Sequence, residues 1–457
     1  MPFKLLLVSH GFPPQSHSGV FRASSFAKYL PEFGVEVVVL TAAESFQEVL
    51  HYPRQEGLAG VEVVRVPFSG QSSGWAAMER VAVRVPGLSG AVKNRQLLRD
   101  ARSAWRLATT ARDFGDVDGV LATSPPAIAA VLGWLAARSL NVPFWCDLRD
   151  PWTYQMGAKY RSSLDLMIQA GLERKVLSAA TLVLANTETA REDLIADFAL
   201  PHERVEVIPN GFDEAMCQRA QQRVAMFPPR QSFDVVYVGL GNYRKAAPAT
   251  LALTVKRLLG IDIIPVELDN NTRSPLYVLS ALADATARSV KLRETLRFRW
   301  IGPVDEPTRS LLESYQSKFA IDAPGGVDES TSVDAIFAAD LLLLLQASMR
   351  RRSVERCSAI PAKTFVYLRS GRPILAALEP GELTRILSSH SGCKVVPPTH
   401  TRAIADAILE SFEEWSHHDG PCVSIRSRVG IQAFERRQLA GRLAKIVHRE
   451  DQARLLA

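Results

Sequence analysis

Short apolar runs alternate with longer amphipathic segments along the chain. In the first half these runs are rich in Val, Ile and Leu and are continuously apolar, which is typical of parallel strands whose two faces are covered by helices. Such runs occupy residues 4–9, 35–41, 62–66, 119–124, 143–148, 181–187 and 205–211. Patterns with helical periodicity lie between several of them, at residues 126–140, 163–178 and 188–198. This order of strand and helix predicts an open, doubly wound parallel sheet.

The same rhythm begins again after a polar, proline-containing stretch at residues 228–232. Further strands are predicted at residues 233–239, 298–302, 340–346, 373–378 and 393–397. We therefore predict the α/β class, with two Rossmann-like doubly wound parallel-sheet domains, residues 1–212 and 213–424, that face an interdomain cleft. A basic amphipathic helix within about residues 425–457 is expected to pack back on the first domain, with contact to a membrane surface as the alternative.

Composition and charge narrow the functional classes. The content of 47% hydrophobic and 22% charged residues is that of an ordinary globular protein. The net charge of +6 comes from basic residues spread along the chain. An anionic ligand or an anionic membrane surface therefore fits better than nucleic acid, which we do not expect as a partner. The five cysteines form no C-x-x-C pair, which disfavours a disulfide framework or a zinc site and favours a reducing cytoplasm.

The chain is expected in the cytoplasm, either free or peripheral on the inner face of the cell membrane. Its start becomes polar too quickly for a signal peptide, and no apolar run is long enough to span a bilayer. Residues 75–106 mix basic and apolar side chains, as segments at a membrane surface do. A plain pair of helices covering the first domain explains the same pattern equally well.

In open α/β sheets ligands bind at the loops that follow the carboxyl ends of the strands. After the first strand, Gly19 opens a helix, where a phosphate can approach free backbone N–H groups. After the first strand of the second half comes the sequence from Gly239 to Lys245, in which Gly241 completes G-x-G but Arg244 replaces the third glycine of a dinucleotide fingerprint. The Arg244–Lys245 pair is suited to a diphosphate, and a solvated basic turn is the alternative.

Three further loops carry candidate chemistry. Arg149 and Asp150 follow a predicted strand, where they serve either a ligand or an ion pair that orders the loop. Asn210 begins an Asn-Gly turn at the end of the first half. Pro361 starts a helix that carries Lys363 in its first turn, which makes its N-terminus either an anion site or a plain cap. The D-x-D sequence at residues 116–118 precedes a strand, at the wrong edge for a ligand, so no metal site is predicted.

Taken in order, these segments resemble the retaining glycosyltransferases of family four, which have the GT-B fold. The resemblance spans about residues 4–380 and is closest to bacterial members that build surface polysaccharides. The matching segments are GFPPQSHSG, FRASSFAKYL, DGVLATSPPAIAA, CDLRDPW, ANTETARE, EVIPNGFD, VVYVG, WIGPVDE, IFAADLLLLL and PAKTFVYLRSGRPILA.

The resemblance implies transfer of a sugar, with retained anomeric configuration and without a bound metal or cofactor. The donor would be a UDP-, GDP- or dTDP-linked sugar, and the acceptor a glycan, a lipid-linked molecule or a small molecule with a hydroxyl group. Arg149 and Asp150 would lie beside the transferring sugar, and Arg244 and Lys245 would bind the pyrophosphate. The remaining donor-binding positions implied are Gly19, Asn210, Gly241, Gly326, Val327, Pro361, Lys363 and Thr364.

One position departs from the family pattern. Val366 stands where members commonly carry a glutamate that binds the ribose hydroxyls of the donor. Glu355, in the basic segment just before, is a candidate substitute for that carboxylate. Two alternatives to an active transferase therefore stay open, namely a family member that binds nucleotide sugars with altered or lost turnover, and an epimerase or hydrolase on the same fold.

Overall fold

The structure is a computed structural model that describes residues 2–15, 18–43, 58, 60–68, 87–226, 231–244, 261–351, 354–355, 357–417 and 430–456. In chain order its strands are β1 Phe3–Ser9, β2 Val35–Ala42, β3 Glu62–Val66, β4 Gly119–Ser124, β5 Phe144–Leu148, β6 Tyr160–Ser162, β7 Leu182–Ala185, β8 Val205–Val207, β9 Phe233–Val238, β10 Ile261–Ile263, β11 Val266–Asp269, β12 Leu296–Ile301, β13 Ala320–Gly325, β14 Leu341–Leu345, β15 Ser348–Arg351, β16 Val354–Glu355, β17 Ile374–Ala377 and β18 Cys393–Val396.

The helices alternate with the strands, as the sequence pattern predicts. They are α1 Ser18–Tyr29, α2 Leu88–Ala111, α3 Ala127–Leu140, α4 Ser163–Ala179, α5 Glu188–Phe198, α6 Glu214–Ala225, α7 Leu276–Arg288, α8 Val290–Thr295, α9 Glu306–Glu313, α10 Glu329–Ala338, α11 Lys363–Ser370, α12 Glu382–Ser388, α13 Thr401–His417 and α14 Arg436–Leu456.

The chain divides into two compact units. The first contains the described residues up to Pro209, residues 261–266 and the helix from Arg436 onward, and the second contains the remainder between Asn210 and Glu435. Residues 261–266 lie in the first unit although the sequence pattern places them in the second domain. The reason is a tertiary pairing, since β10 is hydrogen-bonded to β6 in an antiparallel pair.

The first unit is built on a seven-stranded sheet in the order β3-β2-β1-β4-β5-β7-β8, with every neighbouring pair parallel. Its central strands β1, β4, β5 and β7 are buried on both faces because helices cover both. On one face Leu5 and Leu7 pack with α1 and with Leu443 of α14, whereas Leu6 and Val8 pack with helices on the other face. Successive side chains of a strand point to opposite faces, which is why a continuously apolar run is needed here.

The second unit has a six-stranded parallel sheet in the order β13-β12-β9-β14-β17-β18. Strands β11, β15 and β16 form a separate three-stranded sheet, in the order β11-β15-β16. Strand β13 was not predicted, because its sequence AIDAPG is interrupted by Asp322 and contains Pro324. A proline cannot donate a ladder hydrogen bond, and β13 accommodates it as the edge strand of the sheet. The predicted α/β class with two Rossmann-like parallel-sheet domains is confirmed.

Candidate active site

A buried ion pair occupies the carboxyl edge of the first sheet. Arg22 of α1 and Asp147 of β5 form two parallel contacts, with Nε 2.8 Å from Oδ2 and Nη2 2.8 Å from Oδ1. Arg22 is 7% exposed and Asp147 is fully buried. The same guanidinium donates to the carbonyls of Ile208, at 2.8 Å, and Pro209, at 3.0 Å. Sequence reasoning missed Arg22, whose only signal is a cation among the apolar positions of α1.

Arg149 and Asp150 follow β5 at this edge. The backbone N–H of Arg149 donates to the carbonyl of Ser124 at 2.9 Å, and its guanidinium donates to the carbonyl of Pro125. Burial lowers the pKa of Arg149, although the nearby aspartates act in the opposite direction. Burial also raises the pKa of Asp150 to about 6, against the opposing effect of Arg149. A carboxyl group that titrates there can exchange a proton near neutral pH.

Glu173, a residue that the sequence did not single out, holds the loop that continues from Asp150. It lies in the middle of α4, is fully buried, and accepts the backbone N–H groups of Trp152 at 2.9 Å and Thr153 at 2.8 Å. Burial raises the pKa of Glu173 to about 7, while these hydrogen bonds act to lower it. The Glu173 carboxyl group therefore fixes the backbone at Trp152 and Thr153, just after Asp150. Among the described contacts it has no cationic partner.

Gly19 and Asn210 are two further candidate donor-binding residues. Gly19 is buried in the first turn of α1, which contains no acidic side chain. A phosphate at that helix end would meet backbone N–H groups and a positive dipole. Asn210 is partly buried and is the first residue of the second unit. Both keep their predicted donor-binding roles as predictions.

Glycines line the carboxyl edge of the second sheet and hold its loops together. The N–H of Gly239 donates to Ile301 at 2.8 Å, that of Gly302 to Gly325 at 2.8 Å, and that of Gly241 to Pro303 at 3.1 Å. A Cβ on Gly302 would lie only 2.2 Å from the Gly239 carbonyl oxygen, so this approach requires glycine. Just beyond Gly325, Gly326 is exposed and Val327 packs against the apolar core.

Lys363 places a cation beside this glycine turn. Its Nζ donates to the carbonyl of Val238 at 2.8 Å and lies 3.6 Å from the centroid of the Tyr237 ring. Burial lowers the pKa of Lys363 well below its usual value, and the charge of Arg273 lowers it further. Among the described residues no carboxylate is paired with Lys363. A bound anion would oppose this shift, because a nearby negative charge favours the ammonium form of a lysine.

The first turn of α11 adds a hydroxyl group to this region. Thr364 is fully buried, and its Oγ1 has no hydrogen-bond partner among the described residues. Its backbone N–H donates to the carbonyl of Pro361 at 3.0 Å, which shapes the turn that carries Lys363. Lys363 thus lies beside Gly239 at the carboxyl edge of the second sheet, and Thr364 follows it in the first turn of α11; the donor-binding roles of Lys363 and Thr364 stay predictions.

Arg244 has a partner of its own. Its guanidinium forms an ion pair with Asp305, which also caps α9, and donates to the carbonyl of Tyr243 at 2.9 Å. The Arg244 side chain is 60% exposed. The pair therefore holds the loop after β9 to the start of α9. The other member of the predicted pair, Lys245, lies outside the described residues.

The position of the missing glutamate is apolar. Val366 is partly buried and packs against the core cluster of the second unit. Glu355 forms a backbone bridge with Arg350 in the β15–β16 pair, but its side chain lies outside the described residues. Its role as a substitute carboxylate stays a prediction.

In the described part of the chain, no cluster of three or more His, Cys, Asp or Glu side chains is arranged to hold a metal ion. Among the same residues, every helix is too short or too polar to cross a bilayer.

The first unit also carries a recognisable sequence signature. Residues 20–211, from α1 to just beyond β8, match the family model of the glycosyl transferase 4-like domain. No curated protein sequence matches the chain.

Solved structures resemble both units of the chain together. The N-terminal domain of trehalose-6-phosphate phosphatase from Candida albicans aligns with a TM-score of 0.63 at 11% identity, covering 98% of this chain and 97% of that one. A glycosyltransferase from Rickettsia africae ESF-5 aligns with a TM-score of 0.61 at 12% identity, covering 98% of each chain. Sucrose-phosphate synthase from Thermosynechococcus elongatus aligns with a TM-score of 0.61 at 14% identity, covering 99% of this chain and 100% of that one. The predicted GT-B fold is confirmed.

Proposed function

We propose that the protein is a retaining glycosyltransferase that moves a hexose from a nucleoside diphosphate sugar to a hydroxyl group of an acceptor. The observation that carries this proposal is the buried ammonium of Lys363, held over Tyr237 beside a glycine turn with no carboxylate paired to it in the described part. The glycosyl transferase 4-like domain and the likeness to a glycosyltransferase and to sucrose-phosphate synthase support sugar transfer.

Negative charge on the leaving diphosphate is the chemical problem that this site would address. As the bond from the anomeric carbon to the β-phosphate oxygen breaks, charge develops on that phosphate. Lys363, the positive dipole end of α11 and the Thr364 hydroxyl, which has no partner among the described residues, can stabilise it from fixed positions. These groups would serve the role that a metal ion has in other transferases, which supports a metal-independent reaction.

The acceptor hydroxyl would attack the face of the sugar that the diphosphate leaves. Its oxygen bonds to the anomeric carbon, and its proton passes to the departing phosphate oxygen, so the configuration is retained. No side-chain nucleophile enters this sequence. Arg149 and Asp150, at the carboxyl edge of the first sheet, are proposed to contact the transferring sugar, and the pKa of Asp150 near 6 allows it to exchange a proton there.

Turnover of a donor panel tests the proposal. We expect release of the nucleoside diphosphate from a UDP-, GDP- or dTDP-hexose that depends on an added saccharide or polyprenyl-linked acceptor. Lys363→Ala should lower turnover about 10²- to 10³-fold. The matched control is Lys318→Ala, since Lys318 also lies over a tyrosine, with Nζ 4.9 Å from the Tyr315 centroid. Equal turnover of both variants would remove Lys363 from the mechanism.

A binding protein without turnover is the second candidate, because Val366 packs into the core where a ribose-binding glutamate is expected. It would bind nucleoside diphosphates in calorimetry but release none from any donor and acceptor. Release of free sugar without an acceptor, or interconversion of the donor sugars, would instead indicate a hydrolase or an epimerase on the same fold.

We also propose that the acceptor is lipid-linked, as in the assembly of surface polysaccharides, and that α2 contacts an anionic membrane surface. One face of α2 exposes basic side chains at helical spacing, namely Arg95, Arg99, Arg102 and Arg106, and Lys93 is exposed elsewhere on the helix. Its single acidic residue, Asp100, is buried. Near the start of α2, Leu88 and Leu164 are 40% and 48% exposed, and Met167 of α4 is 67% exposed. Basic residues with nearby exposed apolar side chains are characteristic of interfacial helices.

Vesicle flotation tests this surface. We expect binding to vesicles of phosphatidylcholine with phosphatidylglycerol, loss of binding at high salt, and no binding to phosphatidylcholine alone. The double variant Arg99→Glu/Arg102→Glu should abolish binding. Lys291→Glu/Arg293→Glu makes the same change of charge on α8 of the second unit and should bind like the wild type. If both double variants bind equally, α2 is not the contact surface.

A further inference from the structure

Asp150 lies in a segment of the first unit whose backbone is held on both sides. On the amino side, the N–H of Arg149 donates to the carbonyl of the last residue of β4 at 2.9 Å. On the carboxyl side, Glu173 of α4 accepts the N–H of Trp152 at Oε1, 2.9 Å away, and that of Thr153 at Oε2, 2.8 Å away. The backbone at Asp150 therefore runs between two anchors, one of which is the side chain of a distant helix.

The residues that Glu173 holds are themselves fixed by packing. Trp152 is 9% exposed and belongs to the same apolar core as side chains of α4. Thr153 is fully buried, and its carbonyl accepts the hydroxyl of Tyr160 in β6 at 2.6 Å. Because these residues are closely packed, a change at the Glu173 carboxyl group is transmitted to the backbone next to Asp150.

The ionisable neighbours of Glu173 on other elements are acidic groups. Burial and, to a smaller extent, the charge of Asp197 on α5 raise the pKa of Glu173 to about 7, against its hydrogen bonds to the loop. Burial also raises the pKa of Tyr160 in β6 and of Cys146 in β5, and the charge of Glu173 acts in the same direction on both. None of these neighbours neutralises an ionised Glu173.

The two cations that follow Glu173 along α4 have other partners. Arg174 donates to the carbonyl of Asp197 at 3.1 Å, and Nζ of Lys175 lies 5.7 Å from the centroid of the Trp134 ring. An ionised carboxylate that is buried without a cation lowers stability. Groups of this kind are concentrated at functional sites. The place of Glu173 behind the loop is therefore explained better by function than by stability.

Only the ionised form of Glu173 is suited to holding both N–H groups. The two hydrogen bonds end at different oxygens, and protonation converts one oxygen into an O–H donor that faces an N–H donor. Glutamine introduces the same mismatch at every pH, since an NH2 group replaces one oxygen. The side chain thus fixes the loop at two points when it is ionised and at one point when it is protonated.

We propose that Glu173 is a positioning residue for the transfer reaction, which fixes the backbone that places Asp150 beside the transferring sugar. This role rests on the proposed function, in which Asp150 contacts that sugar. Glu173 is fully buried and touches neither donor nor acceptor. Its effect should therefore appear in kcat, which depends on the placement of the reacting groups, and not in the affinity for the donor.

The pH profile of kcat tests this role. The wild type should gain activity as the pH rises through about 7, where Glu173 loses its proton. Glu173→Gln should lack that step and stay about 10²-fold below the wild type at higher pH, as for a misplaced catalytic group, while the KM for the donor changes little. Glu173→Asp keeps an ionisable group with a shorter reach and should recover part of kcat.

Hydrogen exchange followed by mass spectrometry reports the same change without turnover. Above the pKa of Glu173, residues 149–153 should exchange faster in Glu173→Gln than in the wild type. The matched control is Asp340→Asn at the amino edge of the second sheet. Asp340 is also a buried carboxylate, 8% exposed, that accepts a backbone N–H, from Asp234 at 2.8 Å. This control should keep the wild-type kcat, pH profile and exchange of residues 149–153.

The outcomes separate this role from the proposed function. A wild-type kcat and pH profile in Glu173→Gln, or unchanged exchange of residues 149–153, overturns the role of Glu173. An equal loss in Asp340→Asn also overturns it, because the loss then reflects general destabilisation. All three results leave the proposed function intact, since the wild type still transfers a sugar. If the wild type releases no nucleoside diphosphate from any UDP-, GDP- or dTDP-hexose, the proposed function fails and this role fails with it.

Discussion

The carboxyl edges of the two sheets treat buried charge in opposite ways. In the first unit Asp147 is fully buried but matched by Arg22, which also binds two backbone carbonyls. In the second unit Lys363 has aromatic rings and one carbonyl as its partners but no carboxylate in the described part. A neutralised pair is suited to holding elements together, whereas an unneutralised cation is suited to receiving an anion. Structural and functional charges can therefore be distinguished by measurement. Substitution of a structural charged residue should lower the free energy of unfolding much more than substitution of a functional one.

The largest effect is expected in the first unit. Asp147→Ala leaves the Arg22 guanidinium buried without its carboxylate, which should lower the free energy of unfolding by about 3–5 kcal/mol. Urea denaturation at neutral pH measures it. The control is Arg437→Ala, which removes an exposed pair with Glu32 and should change stability by less than about 1 kcal/mol. A loss for Asp147→Ala no larger than that of the control would contradict a structural role for the buried pair.

Glu173, the buried carboxyl group of the first unit that has no cationic partner among the described contacts, should make the stability of the protein depend on pH. The pKa of Glu173 is raised from 4.5 to about 7 by burial, so its contribution to stability is present below pH 4.5 and is lost as the pH rises through 7. Between these limits the wild type should lose, relative to Glu173→Gln, on the order of 3 kcal/mol of unfolding free energy. Urea denaturation at several pH values compares the two slopes.

The exposed Glu313→Gln, on α9, serves as the control and should follow the wild-type slope. Parallel curves for the wild type and Glu173→Gln would show that its two backbone hydrogen bonds fully compensate burial of the charge.

The smallest effect on stability is expected in the second unit. Lys363→Met keeps the length of the side chain and removes an unneutralised cation, so the free energy of unfolding should change by no more than about 1 kcal/mol, as for loss of one hydrogen bond. The same variant should lose the rise in melting temperature that a bound nucleoside diphosphate gives the wild type. Thermal unfolding with and without UDP, GDP and dTDP measures both effects. Destabilisation as large as that of Asp147→Ala would mean that Lys363 is a structural residue.

Much of the fold could be predicted from the sequence because it depends on local patterns. Strand β4 has the predicted bounds, 119–124, and is buried throughout, as a run without charged residues indicates; β3 also has its predicted bounds, 62–66, although it is a partly exposed edge strand. The predicted strand at 205–211 ends at Val207 instead, and the carbonyls that follow, at Ile208 and Pro209, are bound by Arg22 rather than by a neighbouring strand. A hydrophobic pattern cannot show whether a buried carbonyl is bound by an arginine side chain or by a neighbouring strand.

The candidate site was predictable to a smaller extent. The glycine turn and Lys363 follow from their places after a strand and at the start of a helix, both of which can be located from sequence periodicity. The sequence alone thus determined the α/β class, most of the strands and the loops in which chemistry was sought. Tertiary structure decided which charges meet. Arg22 reaches a carboxylate 125 positions away, Arg244 is neutralised by Asp305, and Lys363 lies over the ring of Tyr237 from a different element. Local patterns encode burial, but the partner of a buried charge depends on the order of strands in the sheet, which brings distant loops to one edge.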